Sequence, residues 1–438
     1  MRTVGLDPSV VDMTDETEVI IVGAGPVGLL LAAELRLAGV STVVLERAEA
    51  PAPHPRALGL HARTLEQLAM RGLQEPFLAA GVRVPSWHFG FLRERLDLTR
   101  LDSPYPFLLA FPQNRTEAIL EQRARQLGAR VLRGVPVTGL TQDADGVRVS
   151  VEDGPGWRAA WVVGADGAGS TVRRSAGIDF PGTDADTYAY LGDVRADAPP
   201  APGYGVQSSR GALIVAPLPG GLLRFTGYDP EDQAAGRREL TLDELREITT
   251  RIGGTDFGLH DPAWLSRFGN ATRVAAQYRK GRVLLAGDAA HMHFPAGGVG
   301  LNLGLQDAMN LGWKLAAVVR GRAGDDLLDT YHDERHRWAE DVAEHTLAQT
   351  ALITATSPTG QALRHLLGDL IERLPDLSLT LARRLAGIDV RYGPPTELPG
   401  SRIAETGDAL LDGRPAEMIV EGRRVMIRPD GYVGHLLE

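Results

Sequence analysis

Cysteine is absent from this chain of 438 residues, and lysine occurs only twice, at Lys280 and Lys314. Without cysteine the chain cannot form disulfides, thiolate metal sites or a thiolate nucleophile, and it suits a reducing compartment. No run of about 18 consecutive apolar residues is present, so the sequence predicts no transmembrane segment. Residues 1–16 lack the basic start and apolar core of a signal peptide, which predicts a flexible leader on a cytoplasmic protein.

The charge balance is acidic, with a net charge of −10. This argues against nucleic acid or an anionic membrane surface as a partner. His291 and His293 lie two positions apart in a loop without a nearby set of carboxylates or cysteines, so we predict no metal site and interpret both as loop packing or as neighbours of a bound ligand. The oligomeric state stays open between monomer and homodimer.

The segment around residue 290 carries the strongest functional signal. The apolar run 283–286 predicts a buried strand that ends at Gly287 and Asp288, and a glycine-rich turn follows. Apolar residues from 301 to 319 recur at helical spacing, so this turn leads into a helix whose first N–H groups face the loop. Such a helix start suits a flat or anionic ligand. Asp288 is placed to accept hydrogen bonds from ligand hydroxyls, with helix capping as the alternative.

Near the N-terminus a dinucleotide-binding pattern is complete. It consists of a strand, a glycine turn, a helix, a second strand and a terminal acid, at residues 19–22, 23–28, 29–38, 41–45 and Glu46. Gly23 permits the tight turn, Gly25 lets the backbone approach a pyrophosphate, and Gly28 lets helix and strand pack closely. Glu46 can bind both hydroxyls of a ribose. The pattern therefore predicts a dinucleotide at this turn.

A third motif lies between these two. The apolar run 161–163 ends in Gly164, and Asp166 and Gly167 follow before small hydroxyl residues and two arginines. Taken alone, this is also typical of a tight turn after a strand. The order of the three motifs resembles the FAD-dependent aromatic hydroxylases, the flavoprotein monooxygenases typified by para-hydroxybenzoate hydroxylase. Further motifs resemble the polyketide-hydroxylase branch of that family, at residues 45–47, 55–66 and 112–117, and the resemblance covers roughly residues 17–393.

The resemblance implies noncovalent FAD, reduced by NADPH or NADH, which inserts one oxygen atom from O₂ into a polycyclic aromatic polyketide through a C4a-hydroperoxyflavin. No catalytic side chain is required, because the flavin carries the chemistry. The residues assigned to the cofactor are Gly23, Gly25, Pro26, Gly28, Glu46, Arg47, Arg56, Gln113, Arg115, Asp166, Gly167, Asp288, Pro295, Gly297, Gly298, Gly300, Leu301 and Asn302. His61 lies in the same loop as Arg56, and the resemblance implies that this loop lies beside the flavin. The candidate walls of the substrate pocket, each with core packing as the alternative, are Trp87, Phe89, Phe225 and Tyr228.

The expected fold is α/β, with a Rossmann-like FAD-binding domain, an antiparallel sheet as substrate domain, long C-terminal helices and an abbreviated thioredoxin-like C-terminal segment. The FAD-binding domain is expected to be discontinuous, over residues 17–83, 108–180 and 273–350, and the substrate domain to use residues 84–107 and 181–272. Within the latter we predict strands at 188–194, 211–218 and 222–228 and a helix at 242–252. A helical region from 327 to about 386, which includes the segment 351–393, precedes a C-terminal segment, 394–438, with a closing hairpin at 423–433.

Alternative functions differ in what they explain. Baeyer–Villiger insertion or epoxidation would use the same fold and cofactor, so the sequence leaves these open beside ring hydroxylation. Flavin-dependent halogenases are typically marked by a Trp-x-Trp-x-Ile-Pro pattern and a catalytic lysine. Here Trp157 and Trp161 are four positions apart, and neither lysine lies in a similar sequence. A nicotinamide dehydrogenase accounts only for the first motif. A non-catalytic flavoprotein acting in binding or assembly stays open, because the C-terminal segment is shorter than the family leads us to expect.

Overall fold

The computed structural model describes residues 17–394 and 396–438, so the predicted leader lies outside the described residues. Ten α-helices occur in the described part of the chain: α1 (Pro26–Leu37), α2 (Ala62–Ala69), α3 (Gln74–Ala80), α4 (Gln113–Gln126), α5 (Thr171–Ser175), α6 (Leu242–Gly253), α7 (Gly300–Val319), α8 (Asp329–Ile353), α9 (Pro358–Arg373) and α10 (Pro375–Ala386). Over these described ranges, no helix is both long enough and apolar enough to cross a lipid bilayer.

The strands of the same ranges form one large parallel-rich sheet, one antiparallel sheet and several small sheets. In chain order they are β1 (Thr17–Val22), β2 (Thr42–Glu46), β3 (Gly59–Leu60), β4 (Val82–Val84), β5 (Ser86–His88), β6 (Arg95–Asp97), β7 (Leu108–Ala110), β8 (Arg130–Arg133), β9 (Val137–Gln142), β10 (Val147–Val151), β11 (Trp157–Gly164), β12 (Gly182–Thr183), β13 (Tyr188–Ala196), β14 (Gly205–Ser208), β15 (Gly211–Pro217), β16 (Leu223–Tyr228), β17 (Leu259–Gly269), β18 (Thr272–Val274), β19 (Arg279–Lys280), β20 (Val283–Leu285), β21 (His291–Met292), β22 (Ala416–Val420), β23 (Arg423–Ile427) and β24 (Val433–Leu436).

The large sheet holds the three sequence motifs. Its central strands β8, β2, β1, β11 and β20 are parallel neighbours, and β19, β10 and β9 extend it with antiparallel pairings. The strands β1, β2 and β20 contain the continuous apolar runs 19–22, 43–45 and 283–285, because parallel strands covered on both faces bury these side chains. This arrangement confirms the predicted α/β class.

The antiparallel sheet has the order β14, β15, β16, β13, β17. The three predicted strands are observed as β13, β15 and β16, and the predicted helix is observed as α6. Helix α6 begins with a reciprocal capping box between Thr241 and Glu244, and its apolar side covers one face of the sheet. The other face of the sheet is turned toward the loop at residues 294–296.

The helical region predicted from 327 to about 386 is observed as the three helices α8, α9 and α10. α8 ends before Pro358 and α9 ends before Pro375, and each proline begins the next helix. A residue before proline avoids helical backbone angles, which explains both breaks. Helix α8 also passes through position 350, so the domain boundary placed there does not coincide with the end of an element.

The C-terminal segment is bound tightly to the region around α2. The hairpin predicted at 423–433 is observed as the antiparallel pair β23 and β24. Two buried arginines donate to backbone carbonyls of the segment, Arg63 to those of Ile403, Asp430 and Gly431, and Arg71 to those of Leu410 and Pro429. Buried guanidinium groups need such partners, so the segment is part of the structure that orients α2.

Candidate active site

Three loops leave the large sheet side by side. In the register of β1, β11 and β20, Val22 pairs with Gly164 and Gly164 pairs with Leu285. The glycine turn after β1, the loop that contains Asp166 and the loop that contains Asp288 therefore begin at the same edge. Ligands of parallel α/β sheets bind at this edge, beyond the carboxyl ends of the strands.

The glycines of these loops fall into two groups. A Cβ on Gly23 would lie 2.3 Å from the carbonyl oxygen of Ala165, and a Cβ on Gly28 would lie 2.1 Å from that of Gly23. The protein itself requires glycine at both positions. Gly25 and Gly167 have no atom within 4 Å of an added Cβ, and Gly25 has an ordinary φ of −74°. Neither packing nor backbone conformation explains glycine at position 25, so the space beside it is available to a ligand.

Helix α1 begins at this open position. Gly25 is its N-cap and supplies no side chain, Pro26 follows, and the first turn contains no acidic residue. The first N–H groups of the helix therefore have no side-chain acceptor. Glu46, at the end of β2, reaches the same turn, because one carboxylate oxygen accepts from the Ala24 N–H at 2.8 Å and the other from the Ala48 N–H at 2.9 Å. A helix start without a side-chain cap and a partly exposed carboxylate thus share one turn.

The carboxylate of Asp166 is used within the protein. It accepts hydrogen bonds from the Ser170 hydroxyl at 2.5 Å and from the N–H groups of Thr171 and Val172 at 2.7 and 3.1 Å. Asp166 therefore caps α5, and the turn interpretation describes its side chain better than the predicted cofactor contact. Gly167 and Gly169, which follow it in this loop, both have open space beside them.

Asp288 is exposed at the sheet edge, in a single 3₁₀ turn, Gly287–Ala289. A buried cluster holds this turn from below. Asp307 accepts from the Gly287 N–H at 3.1 Å, from the Nε of Arg335 at 2.7 Å, and lies 2.6 Å from the Nε2 of His291. The charges of His291 and Arg335 outweigh the effect of burial and lower the pKa of Asp307. The turn is thus anchored through its backbone while the Asp288 carboxylate stays open to a ligand.

The glycine-rich loop before α7 is also anchored. The Asn302 side-chain oxygen accepts from the His61 N–H at 2.8 Å, and its nitrogen donates to the carbonyls of Gly59 and Gly298 at 3.1 and 3.0 Å. The Nε2 of His61 lies 3.0 Å from the Gly297 carbonyl oxygen. Burial lowers the pKa of His61 to about 4, although the bond to Gly297 opposes this shift, so the ring is neutral and donates through Nε2.

Within this loop the predicted residues differ in their surroundings. Pro295 is exposed, while Gly298, Gly300 and Leu301 are partly exposed. Gly297 and Gly298 have φ of +75° and +70°, and a Cβ on Gly298 would meet nothing within 4 Å. No side chain caps α7, so its first N–H groups also face the loop. The Asn302 side chain is committed to the protein, which leaves its backbone as the part that can face a ligand.

The predicted polar contacts of the neighbouring segment are mixed. Arg47, Arg56 and Arg115 are exposed, and their side chains are available to a ligand or to solvent. Gln113 joins two protein segments instead, since its oxygen accepts from the Ala57 N–H at 3.1 Å and its nitrogen donates to Glu117 at 2.8 Å. We interpret Gln113 as an anchor of the loop that carries Arg56.

Phe225 is not a wall of the pocket, contrary to the prediction. It is fully buried between the antiparallel sheet and α6, with its ring 5.6 Å from that of Phe257. Tyr228, on the same strand, is half-buried on the opposite face, in a cluster with Phe268 and Phe294. Strand residues separated by an odd number of positions point to opposite faces, so the two predictions excluded each other and this parity was visible in the sequence.

Trp87 and Phe89 lie beside the candidate site but largely in packed surroundings. Phe89 is buried with its ring 5.2 Å from that of His345, and Trp87 is half-buried against the main core. The sequence prediction missed Phe91, which packs with Phe268 and Phe294 near Ala296. A run of aromatic residues beside glycine, as in residues 87–91, is the signal that would have indicated it.

The comparisons with known proteins agree with this geometry. The model of the family described as FAD binding domain matches residues 16–346. An uncharacterized aromatic compound monooxygenase, YhjG, of Bacillus subtilis (strain 168) is 47% identical over 407 residues, which is 90% of this chain and 81% of YhjG. The structure of OxyS, an anhydrotetracycline hydroxylase from Streptomyces rimosus, superimposes with a TM-score of 0.88 at 40% identity, over 96% of this chain and 95% of OxyS.

One relative has a name of a different kind. A dialkyldecalin synthase of Streptomyces rugosporus is 39% identical over 444 aligned residues, which is 95% of each chain. The matched family model spans most of the chain, and it includes the glycine turn, the Asp166 loop, the Asp288 loop and the start of α7. The chain therefore belongs to the FAD-binding-domain family, within the group that contains the FAD-dependent aromatic hydroxylases.

Proposed function

We propose that this protein is an FAD- and NAD(P)H-dependent monooxygenase that inserts one oxygen atom from O₂ into a polycyclic aromatic polyketide. The observation that carries the proposal is the open glycine position at Gly25, in register with the loops of Asp166 and Asp288. The family, together with the names of YhjG and OxyS, supports an aromatic substrate. The large sheet would hold FAD in the manner of a Rossmann domain, and the C-terminal segment would be a remnant of a thioredoxin-like domain.

The residues present fit an extended FAD. The pyrophosphate would lie beside Gly25, at the uncapped start of α1, where backbone N–H groups and the helix dipole favour negative charge. Glu46 would bind the adenosine ribose and Asp288 the ribityl hydroxyls. The flavin ring would rest against residues 295–302, here named the flavin loop. Gly298 leaves open space in this loop, and the first turn of α7 is uncapped.

When bound, FAD would supply the redox chemistry, with NADPH or NADH as the reductant and O₂ as the source of the inserted oxygen atom. The protein's own task is to bind, orient and exclude water. The first N–H groups of α7 would stabilise negative charge on the reduced ring. His61 and Asn302 would keep the flavin loop in place through their bonds to Gly297 and Gly298.

The substrate would lie between the flavin loop and the antiparallel sheet. The sheet face opposite α6 presents the half-buried aromatic residues Tyr228 and Phe268 toward Phe294 of the loop. Aromatic side chains that stay partly exposed can stack on a flat polycyclic ligand. Phe91 extends this surface on the side of α8, where Ile353 belongs to the same cluster.

The test uses the purified holoprotein, NADPH and a panel of aromatic polyketides under isotope-labelled O₂. We expect substrate-dependent NADPH oxidation and a product that contains one labelled oxygen atom. Oxygen derived from labelled water, or product formed under nitrogen, would exclude the proposed reaction. The position of the inserted oxygen distinguishes ring hydroxylation from epoxidation and from Baeyer–Villiger insertion.

A second candidate function follows from the dialkyldecalin synthase relative, which matches 95% of the chain. In this case the bound flavin would be structural and the pocket would shape a ring-forming reaction without net oxidation. Conversion of a polyene substrate to an isomer of equal mass, without NADPH or O₂, would favour it. Binding of FAD and of aromatic compounds without any conversion would instead favour a non-catalytic flavoprotein.

A further inference from the structure

Four buried nitrogen atoms near the flavin loop have no hydrogen-bond partner in the described part of the chain. They are Trp87 Nε1, His88 Nδ1, His345 Nε2 and Gln349 Nε2. Gln349 is fully buried, and His88 and His345 are each only 8% exposed. Buried polar groups in native proteins almost always have partners, so several unpaired nitrogens on neighbouring elements favour a binding site there.

These atoms belong to two elements that contact each other. Trp87 and His88 lie on β5, and their rings are 4.8 Å apart. His345 and Gln349 are one turn apart on α8 and therefore lie on the same side of that helix. The Gly90 N–H, just after β5, donates to the side-chain oxygen of Gln349 at 3.2 Å, which joins the two elements.

The turn after β5 is held in a strained conformation. Gly90 and Phe91 both have left-handed backbone angles, with φ of +55° and +56°, which a phenylalanine rarely adopts. Arg364 fixes this turn, because its guanidinium donates to the carbonyls of Gly90, Phe91 and Leu352. Such strain persists only where the surroundings impose it, and it is frequent at binding sites.

The two elements border the flavin loop. The Gln349 side-chain nitrogen would lie 3.0 Å from a Cβ added to Gly297, so the amide lies beside this glycine. The His88 ring meets that of Phe91 edge-on at 4.8 Å, and Phe91 packs in the aromatic cluster of the candidate substrate site. Gln349 therefore borders the loop, and His88 borders this aromatic surface.

The chemistry of these groups defines their ligand. The indole N–H of Trp87 and the amide N–H of Gln349 can only donate. The amide orientation of Gln349 is not arbitrary, since its oxygen already accepts from Gly90. Burial lowers the pKa of His88 to about 3, with smaller contributions from Arg95 and His61, so its ring is neutral and can either donate or accept. The ligand must offer at least two acceptor oxygens next to an aromatic surface.

We propose that Trp87, His88 and Gln349 form a recognition subsite for the carbonyl and phenol oxygens of a polycyclic aromatic substrate. This inference rests on the proposed function, because it assigns the substrate class of the same site. The subsite would select ligands by the oxygen atoms that their rings carry, and not by apolar area alone. His345 lies at the edge of the subsite, where its ring contacts Phe89.

The test measures binding to the FAD-loaded protein by equilibrium dialysis, without NADPH. The probes are a dihydroxyanthraquinone, which carries keto and phenol oxygens, and anthracene, which has the three fused rings without them. We test Trp87→Phe, which removes the indole donor together with part of the ring surface, and Gln349→Glu, which keeps an acceptor for Gly90 but removes the amide donor. The anthracene probe reports the loss of ring surface separately from the loss of the donor. Trp313→Phe is the matched control, because the Trp313 Nε1 is also buried and unpaired but lies on α7, away from this subsite.

We expect each of the two variants to weaken dihydroxyanthraquinone binding about tenfold and to leave anthracene binding within about twofold of wild type. Trp313→Phe should change neither. Equal weakening of both probes, or no weakening of the first, overturns the subsite, as does a wild-type protein that prefers anthracene. FAD content and thermal unfolding of each variant show whether it is folded. Because this readout needs no turnover, selective binding without oxygen insertion would refute the proposed function and keep the subsite.

Discussion

Replacing Gly25 by alanine separates the ligand-binding role of the glycine turn from its structural role. A Cβ at this position meets no protein atom within 4 Å, and the φ of −74° suits any residue. Gly25 is the N-cap of α1, and alanine is a poorer cap than glycine. We therefore expect the apoprotein to lose at most about 1 kcal/mol of its free energy of unfolding.

The effect on FAD should be larger. The methyl group would occupy the space through which the pyrophosphate approaches the first N–H groups of α1. Charge-assisted hydrogen bonds are worth about 1.5–3 kcal/mol each, so the loss of one or two of them gives a penalty on the order of 3 kcal/mol. The dissociation constant of FAD should rise roughly a hundredfold.

Titration of apoprotein with FAD, followed by quenching of flavin fluorescence, measures this constant, and urea unfolding of the same sample measures stability. Gly28→Ala is the matched comparison, because its Cβ would lie 2.1 Å from the carbonyl oxygen of Gly23 and should destabilise the fold itself by about 2 kcal/mol or more. Wild-type FAD affinity in Gly25→Ala would show that the pyrophosphate does not bind at this turn. A Gly28→Ala protein as stable as wild type would refute the packing argument.

Three further results are expected. Asp288→Ala should weaken FAD about ten- to a hundredfold at unchanged stability, because ligand hydroxyls lose their acceptor; equal affinity in a titration would reduce Asp288 to a turn residue. Asp307→Asn should cost about 3–5 kcal/mol in urea unfolding, since Arg335 would stay buried without its counter-charge, and a cost below about 1 kcal/mol would contradict the anchoring role. Burial would raise the pKa of Glu334, but Arg428 outweighs it and lowers this pKa to about 2 from 4.5. The Glu334–Arg428 pair therefore stabilises the fold above about pH 4.5 by up to about 3 kcal/mol, and this stability should disappear as pH falls toward 2. Thermal unfolding at several pH values should show a smaller acid-dependent loss of stability in Glu334→Gln than in wild type.

Much of the glycine turn and its flanking strands could be predicted because the signals are local. The strands at 19–22 and 283–285 are continuous apolar runs, and spacing alone indicates the close packing at Gly23 and Gly28. The hairpin near residue 430 was predicted for the same reason, from a Pro-Asp-Gly turn between two β-prone runs. In each case a few neighbouring residues determine the conformation.

What could not be predicted depends on contacts between distant residues. Asp307 and Arg335 are 28 positions apart, and only the fold shows that they share one buried cluster with His291. Asp307 did carry a signal, since it lies four residues after Leu303 and four before Leu311, on an apolar helix face. The carboxylate of Asp166 matched a family motif, but whether it faces a ligand or a helix start depends on the path of the chain after it.

Two further features were visible in the sequence. The prolines at 358 and 375 mark the breaks between the predicted C-terminal helices, and the odd spacing of residues 225 and 228 places them on opposite faces of a strand. Both follow from backbone geometry rather than from tertiary contacts.

Side chains of the antiparallel sheet alternate between its two faces, and this alternation affects how such enzymes can diversify. One row of side chains, Ile214, Thr226, Leu191 and Ser266, crosses four adjacent strands on the face toward the flavin loop. The residues that alternate with them form the core under α6. Substitutions in this row can change the shape of the sheet surface that would contact a substrate, while every residue under α6 stays the same. A library restricted to these four positions should therefore yield mostly folded proteins with altered ligand preference, and natural drift along the same row would let one scaffold serve many polycyclic compounds.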